Sequence, residues 1–378
     1  MSEFEVCTNA GGDPPQCVLR LQFAPGGELF AWVGSYHPAY SGPRWTHVDA
    51  VYARAASGTV STVYEDAFAM RYGHKAKVPE VSPDGRYVAI PASMEELESV
   101  LVVTDRTRPK AAPTLIATRS YMGYPRPLFH PNCKDLLVVV DTPLPVGHTN
   151  ENDPPDEYFT EVRRWALAGF AKPPRKADTA KVFVMYQEEP VDMRCTGWTD
   201  PRRLEQCESD AQVALSPCGR YLAFGSLTGE AHIVDLEGTE DARTLPRVAG
   251  AITRRDDWDE EVCEVTHLGF SPDGARLARI AEGQLSVVPL AGGKRWAAKA
   301  KGVSGFAFHP TGTTLCAVTE SGDALTLSAD TGKVLNKSAP LAVGKKVAPL
   351  YSVCFAPDGK TCAAGGLGGR VVVWDVDA

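Results

Sequence analysis

Large apolar residues recur seven times two places before a proline, and a further apolar pair recurs five and six places after it. The seven segments are Phe23-Ala24-Pro25-Gly26-Gly27, Val81-Ser82-Pro83-Asp84-Gly85, Phe129-His130-Pro131-Asn132-Cys133, Leu215-Ser216-Pro217-Cys218-Gly219, Phe270-Ser271-Pro272-Asp273-Gly274, Phe308-His309-Pro310-Thr311-Gly312 and Phe355-Ala356-Pro357-Asp358-Gly359. Proline presets φ for the second position of a tight turn, and glycine two places on accepts the left-handed conformation that closes a bulged hairpin. Each copy therefore predicts strand, turn, strand, with the residue two before the proline buried. The column five after the proline is Phe30, Val88, Leu136, Leu222, Leu277, Leu315 and Cys362; the column six after is Ala31, Ala89, Leu137, Ala223, Ala278, Cys316 and Ala363. A small column beside a larger one fits strands crowded near a common axis. The third copy breaks the pattern at Cys133 and Leu137, so its hairpin is expected to be distorted.

Two more strands are predicted per copy, for example Glu230 to Asp235 and Arg243 to Val248 in the fourth, and Glu161 to Leu167 and Lys181 to Tyr186 in the third. Four antiparallel strands make one propeller blade. With Ser82-Pro83-Asp84-Gly85, Ser271-Pro272-Asp273-Gly274, the Gly73-His74 pair nine residues ahead of Pro83, and Trp374-Asp375 near the end, the chain resembles the WD40-repeat family along its whole length. Only the last copy keeps Trp-Asp, so burial rather than the family's polar tetrad is expected to hold most blades. The reading is an all-β, seven-bladed propeller of four-stranded antiparallel blades, one domain spanning 1–378. The last copy lacks its outer strand, and the β-prone segment Glu3 to Thr8 is expected to supply it and close the ring.

The 86 residues from Pro131 to Pro217 contain no further turn signature and are read as one blade with long loops. The amino terminus is acidic and lacks an apolar core, and no run of about 18 apolar residues could span a bilayer. A cytoplasmic protein without membrane association is expected. None of the ten cysteines has metal-knuckle spacing; Cys316, Cys354 and Cys362 fall on core columns, whereas Cys195 and Cys207 share a loop that could hold a disulfide. His130 and His309 precede turn prolines, where turn chemistry accounts for them. No nucleophile elbow, phosphate-binding glycine loop or calcium loop is present, so no catalytic residue, metal or cofactor is expected.

The resemblance implies that the loops joining strands two and three, and those joining successive blades, emerge on the face opposite the proline turns. The longest insertions, 34–46, 65–77, 141–161, 188–212 and 247–264, then share one face, where repeat proteins usually bind. Three of them carry nets of −6, −4 and −3 against −8 for the whole chain, so the remainder is basic. The net charge of −8 argues against a nucleic-acid surface, which normally needs a basic patch. Aromatic residues interleave with the acids, the composition of an anchor within a charged rim. The partner-binding residues expected are Asp153, Asp156, Glu157, Tyr158, Phe159, Trp198, Asp256, Asp257, Trp258, Asp259, Glu260 and Glu261. They suit a protein or peptide partner, preferably basic, held by a non-catalytic scaffold. The alternative reading is a lactonase- or hydrolase-like propeller enzyme with charged residues converging at the channel mouth.

Overall fold

The computed structural model describes residues 2–6, 16–35, 48–65, 78–93, 99–118, 125–143, 158–171, 179–182, 191–194, 199–204, 212–226, 228–248, 254–255, 261–338, 342–343 and 346–376. The fold is all-β, with seven blades; the only helical element among the described residues is a short 3-10 turn, Leu167–Ala171. The chain divides into two compact units, Met1–Trp45, Asp49–Tyr64 and Ala211–Ala378 in one, Thr46–Val48 and Glu65–Asp210 in the other.

The first unit holds five four-stranded antiparallel sheets. Blade 1 runs through Gln16–Phe23, Leu29–Ser35, Ala50–Arg54 and Val60–Glu65. Blade 4 comprises Val213–Leu215, Tyr221–Gly225, Ala231–Asp235 and Arg243–Leu245, and blade 5 Val265–Phe270, Arg276–Ala281, Gln284–Pro289 and Trp296–Ala297. Blade 6 follows with Val303–Phe308, Thr314–Thr319, Ala324–Ser328 and Val334–Lys337. Blade 7 takes three strands, Leu350–Phe355, Thr361–Gly366 and Arg370–Asp375, from the end of the chain. Its fourth is Ser2–Glu5, paired from Ser2↔Val373 to Glu5↔Arg370. An ion pair of 2.9 Å between Arg370 and Glu3 accompanies the pairing. The amino-terminal segment thus completes the last blade as expected.

In the second unit, blade 2 (Glu80–Val81, Tyr87–Ser93, Ser99–Asp105, Thr114–Ala117) is extended to six strands by the hairpin Thr179–Val182 with Val191–Arg194. Blade 3 comprises Arg126–Phe129, Asp135–Pro143, Tyr158–Ala166 and Thr199–Leu204. Its fourth strand is therefore Thr199–Leu204, not Lys181 to Tyr186. The Thr179–Val182 segment instead joins the preceding blade, because the outer edge of Thr114–Ala117 accepts Val191–Arg194 in parallel, at Arg194↔Ile116. The long spacing before Pro217 holds this added hairpin rather than an eighth blade. Parts of the insertions 141–161 and 188–212 are likewise strand.

The turn columns behave as their chemistry requires, with two exceptions. Gly85 N donates to Ser82 O at 2.8 Å and Gly219 N to Ser216 O at 2.8 Å, with φ of 73° and 77°. Cys133 does the same job at φ 55°, donating to His130 O at 2.9 Å, and the hairpin keeps an unbroken register from Arg126↔Val139 to Phe129↔Leu136. The distortion expected there is absent, since one left-handed residue costs little beside a complete ladder. The second exception lies two places before the proline, where only Val81 and Phe129 are fully buried. At the other copies the side chain at this strand end is only partly buried. The columns five and six after the proline are buried in every copy.

Irregularity recurs at the start of the innermost strand, where the register shifts at Val18/Arg20, Val265/His267, Val303/Gly305 and Leu350/Ser352 in blades 1, 5, 6 and 7, and it also occurs against the outer strands of blades 3 and 6, at Val162/Arg164 and Thr326/Leu327. A bulge turns one extra residue toward the adjoining blade. There Ser304 Oγ donates to Leu350 O, and Ser352 Oγ donates to Val18 O at 3.2 Å. Close approach is built into the same region: a Cβ on Gly305 would stand 2.6 Å from Tyr351 O, and one on Gly225 would stand 2.5 Å from Val265 Cβ. Apolar clusters then fill the space between successive blades, such as Ile280, Val287, Leu315, Ala317 and Leu327 between blades 5 and 6. Cys316 and Cys362 belong to the buried cluster between blades 6 and 7, as their columns predict.

Candidate interaction face

Strand direction decides which end of a blade each predicted residue occupies. In blade 3 the proline turn closes Phe129 to Asp135, so the next connection, from Pro143 to Tyr158, leaves the opposite end; register sets Tyr158 against Pro143 and Phe159 against Thr142. Asp153, Asp156 and Glu157 lie in that connection, outside the described residues, as does Trp198. In blade 4 the outer strand ends at Leu245, also away from its proline turn, and the chain enters a two-stranded hairpin, Arg254–Arg255 with Glu261–Val262. Glu261 opens the return strand, opposite Arg255. Asp256, Asp257, Trp258, Asp259 and Glu260 form the connection within this hairpin and lie outside the described residues. Cys195, Cys207 and the Gly73-His74 pair lie outside them too.

What the structure describes fully is the base on which the 247–264 insertion stands. Val248 and Cys263, one at each end, are buried with Val265 and Ala281 and pack against Leu268. Gly229 makes room for them, since a Cβ there would lie 2.8 Å from Cys263 Sγ and 3.0 Å from Arg247 Cγ, at a φ of 83°. Burial pushes the Cys263 thiol up, so it serves as apolar filler. Both stems are therefore pinned in the core, at the blade end away from the proline turn.

Beneath these stems sits a buried cation. Arg279, in the second strand of blade 5, is 1% exposed. Its guanidinium donates to Leu245 O at 3.3 Å and also to Pro246 O, the two carbonyls that close the outer strand of blade 4. Its Nε, like the cross-strand neighbour Ser286 Oγ, has no hydrogen-bond partner. Desolvation, with Arg295 adding repulsion, brings Arg279 down to about 10, so it stays protonated at neutral pH. A positive charge in a poorly solvated position thus underlies the start of an acidic insertion, and among the described residues no ion pair neutralises it.

Blade 3 solves the same problem differently. Arg163 is buried, donates to Thr118 O at 2.7 Å, and pairs with Glu161 at 2.5 Å. Thr118 Oγ1 in turn lies 2.8 Å from Ser99 Oγ and donates to Ser99 O at 2.6 Å. This network ties the third strand, three to five residues after Tyr158, to blade 2. Glu161, counted among the insertion's acids, is thereby committed to structure rather than to a partner.

At the proline-turn end, polar side chains serve the turns. Ser82 Oγ accepts from Tyr87 N at 2.8 Å and donates to Asp84 at 2.5 Å. Asn132 N donates to His130 Nδ1 at 3.1 Å, and Thr311 N donates to His309 Nδ1 at 3.2 Å, the local role expected of both histidines. Unexpected is a brace from the residue three after the proline to the end of the third strand. Arg86 grips Asp105 through Nε at 3.2 Å and Nη2 at 2.8 Å, and Arg220 grips Asp235 at 3.0 and 2.9 Å. Both carboxyls are held well below the usual carboxylate range, chiefly by these guanidinium hydrogen bonds. Register places Asp105 opposite Tyr87, Asp235 opposite Tyr221, and Asp375 of Trp374-Asp375 opposite Thr361. The aspartate of that dipeptide thus persists in blades 2 and 4 without its tryptophan. The signal that could have found it was an arginine three after Pro83 and Pro217 with an aspartate one hairpin later.

A family model described as WD domain, G-beta repeat matches residues 341–375. No curated protein matches the sequence. The match covers the last blade, and the remaining six repeat its proline turn and strand order; the chain is a WD40-like β-propeller. No described helix is long and apolar enough to cross a membrane.

Proposed function

We propose that this chain is a non-catalytic scaffold, a single propeller domain, that holds a basic protein or peptide segment on its acidic insertions. WD40 propellers commonly serve as protein-interaction platforms, which supports the general class. The observation that carries the specific reading is the charge partition: insertions 141–161, 188–212 and 247–264 together hold −13 of a chain whose net is −8, and they contain Tyr158, Phe159, Trp198 and Trp258. Within its own unit, the hairpin that bears Trp258 leaves the blade end remote from the proline turns, on stems buried at Val248 and Cys263. A pinned stem lowers the ordering entropy that a binding loop must lose on association.

Roles divide by chemistry. Trp198 and Trp258 are the anchors, because large aromatic side chains dominate interface energetics. Asp153, Asp156, Glu157, Asp256, Asp257, Asp259, Glu260 and Glu261 supply the rim, which steers a basic partner and sets the salt dependence of association. Tyr158 and Phe159 extend the aromatic surface at the start of their strand. The site holds no metal or cofactor in this reading, and the protein works in the cytoplasm, without nucleic acid or membrane. Affinity capture from native lysate followed by mass spectrometry, performed in parallel with wild type and Trp258→Ala, tests it. Partners retained by the wild type and lost by the variant support the proposal; an identical set from both sinks it.

A further inference from the structure

We propose that the outer edge of blade 6 is a second interaction surface, which takes an acidic peptide in extended conformation. Strand Val334–Lys337 is the last in its sheet, paired inward to Ala324–Ser328, and all four of its residues are exposed. Val334 (43%) and Leu335 (54%) are two of the three exposed large hydrophobic residues among those described, and Leu335 is the extra residue of a bulge, between Val334 opposite Leu327 and Asn336 opposite Thr326. A strand edge offers its unpaired amides and carbonyls to an incoming chain, with side-chain contacts adding selectivity. The protein itself contains one such addition, Val191–Arg194 laid in parallel on the outer strand of blade 2.

Charge identifies the guest. Residues 291–347 contain eight basic and three acidic side chains, in a chain with a net of −8. Lys294, Arg295, Lys299, Lys301, Lys333 and Lys337 are exposed. Of the acids, Asp330 is engaged by Arg276, and Asp323 by Lys337 at 2.9 Å. The basic stretch of blade 5 is continuous with the edge: Trp296 Nε1 donates to Ala329 O at 2.8 Å, and its ring covers Gly332, in the turn that leads into Val334. Lysines on an edge repel a second basic edge, and they favour a strand that alternates acidic and apolar residues. The preference is opposite to that of the acidic insertions, so the two surfaces stand or fall separately.

The test measures fluorescence anisotropy of a fluorescein-labelled peptide alternating glutamate and valine, titrated with the full chain at about 50 mM and about 300 mM salt. A lysine-valine peptide and a single-stranded oligonucleotide of matched charge serve as comparisons. The acidic peptide should bind saturably, about tenfold more weakly at the higher salt, and binding of the lysine-valine peptide, which the acidic insertions would take, should be unmoved by the strand variants. Lys333→Glu with Lys337→Glu should lower affinity by about tenfold or more, and Leu335→Asn should weaken it at both salt concentrations. Lys360→Glu, in the proline turn of blade 7, should leave it unchanged. All the substituted side chains are exposed, and each variant's melting curve is compared with that of the wild type. Absence of saturable binding by the acidic peptide, or an affinity for it unmoved by the strand variants, overturns the proposal. So does equal binding of the oligonucleotide with no effect of Leu335→Asn, which would mark a general polyanion surface.

Discussion

Arg279 shows how much a single buried side chain carries in this fold. Two of its nitrogens satisfy carbonyls that end the outer strand of blade 4, while its charge has no ion-pair partner among the described residues. Truncation should therefore cost more than a change that keeps volume and removes the charge. Arg279→Ala, which leaves a cavity and two orphaned carbonyls, should lower unfolding free energy by about 2–4 kcal/mol. Arg279→Met should cost no more than about 1 kcal/mol, because relief of the buried charge offsets the lost hydrogen bonds. Urea denaturation ranks the two, and equal losses would contradict this account. His267 provides a pH test. Although the residue as a whole is only partly buried, desolvation pulls the His267 imidazole down to about 4 from 6.5. Between those values the unfolded chain binds a proton that the folded chain refuses, so stability is lost as pH falls from about 6.5 to 4. His130 and His232 are lowered as well, also chiefly by desolvation. His267→Gln should flatten that slope by about 2 kcal/mol across the window, read from denaturation midpoints at successive pH values.

At the scale of elements, the amino-terminal strand and the inter-blade bulges are the features whose loss should be felt most. Deleting residues 1–6 removes the Ser2–Glu5 ladder and exposes the edge of Arg370–Asp375. Each lost hydrogen bond is worth about 0.5–1.5 kcal/mol, so the melting temperature should fall by several degrees, whereas Glu3→Ala, which breaks only a solvent-exposed ion pair, should shift it by less than about 1 kcal/mol equivalent. An unchanged melting temperature for the truncated chain would show that this strand does not complete blade 7. Gly305→Ala, forced against the backbone oxygen of Tyr351, should destabilise by about 1–3 kcal/mol. These elements differed in how clearly the sequence announced them. The proline turns were plain because proline, glycine and a fixed apolar pair are local requirements, and Cys133 shows that even a break in the motif can leave the geometry intact. The fourth strand of blade 3 was hidden because Thr199–Leu204 and Lys181 to Tyr186 are both β-prone, and only long-range pairing decides which joins the blade. The arginine–aspartate braces were missed for a similar reason: each spans a hairpin, and neither partner stands out by itself. The proposed binding face is legible as composition alone, since acidic residues and tryptophans in long connections state a chemistry without stating a geometry.

For the whole molecule the decisive quantity is the distribution of charge. Acidic insertions carry −13, while residues 291–347 carry an excess of five basic side chains, and a scaffold polarised in this way should choose partners by sign. A basic partner held on the insertions should associate faster at low salt, and replacing Asp256, Asp257, Asp259 and Glu260 by Ser should slow association mainly there. Trp258→Ala should instead weaken the complex by about 2 kcal/mol or more at any salt, through faster dissociation. The most direct measurement is surface-based binding kinetics of a captured partner against wild type, Trp258→Ala and the four-serine variant, at low and high ionic strength. The account predicts a salt-independent loss for the tryptophan variant and a low-salt loss of association rate for the serine variant. Unchanged kinetics for both, with affinity moved instead by Asp273→Ala or Thr311→Ala in the proline turns, would contradict it.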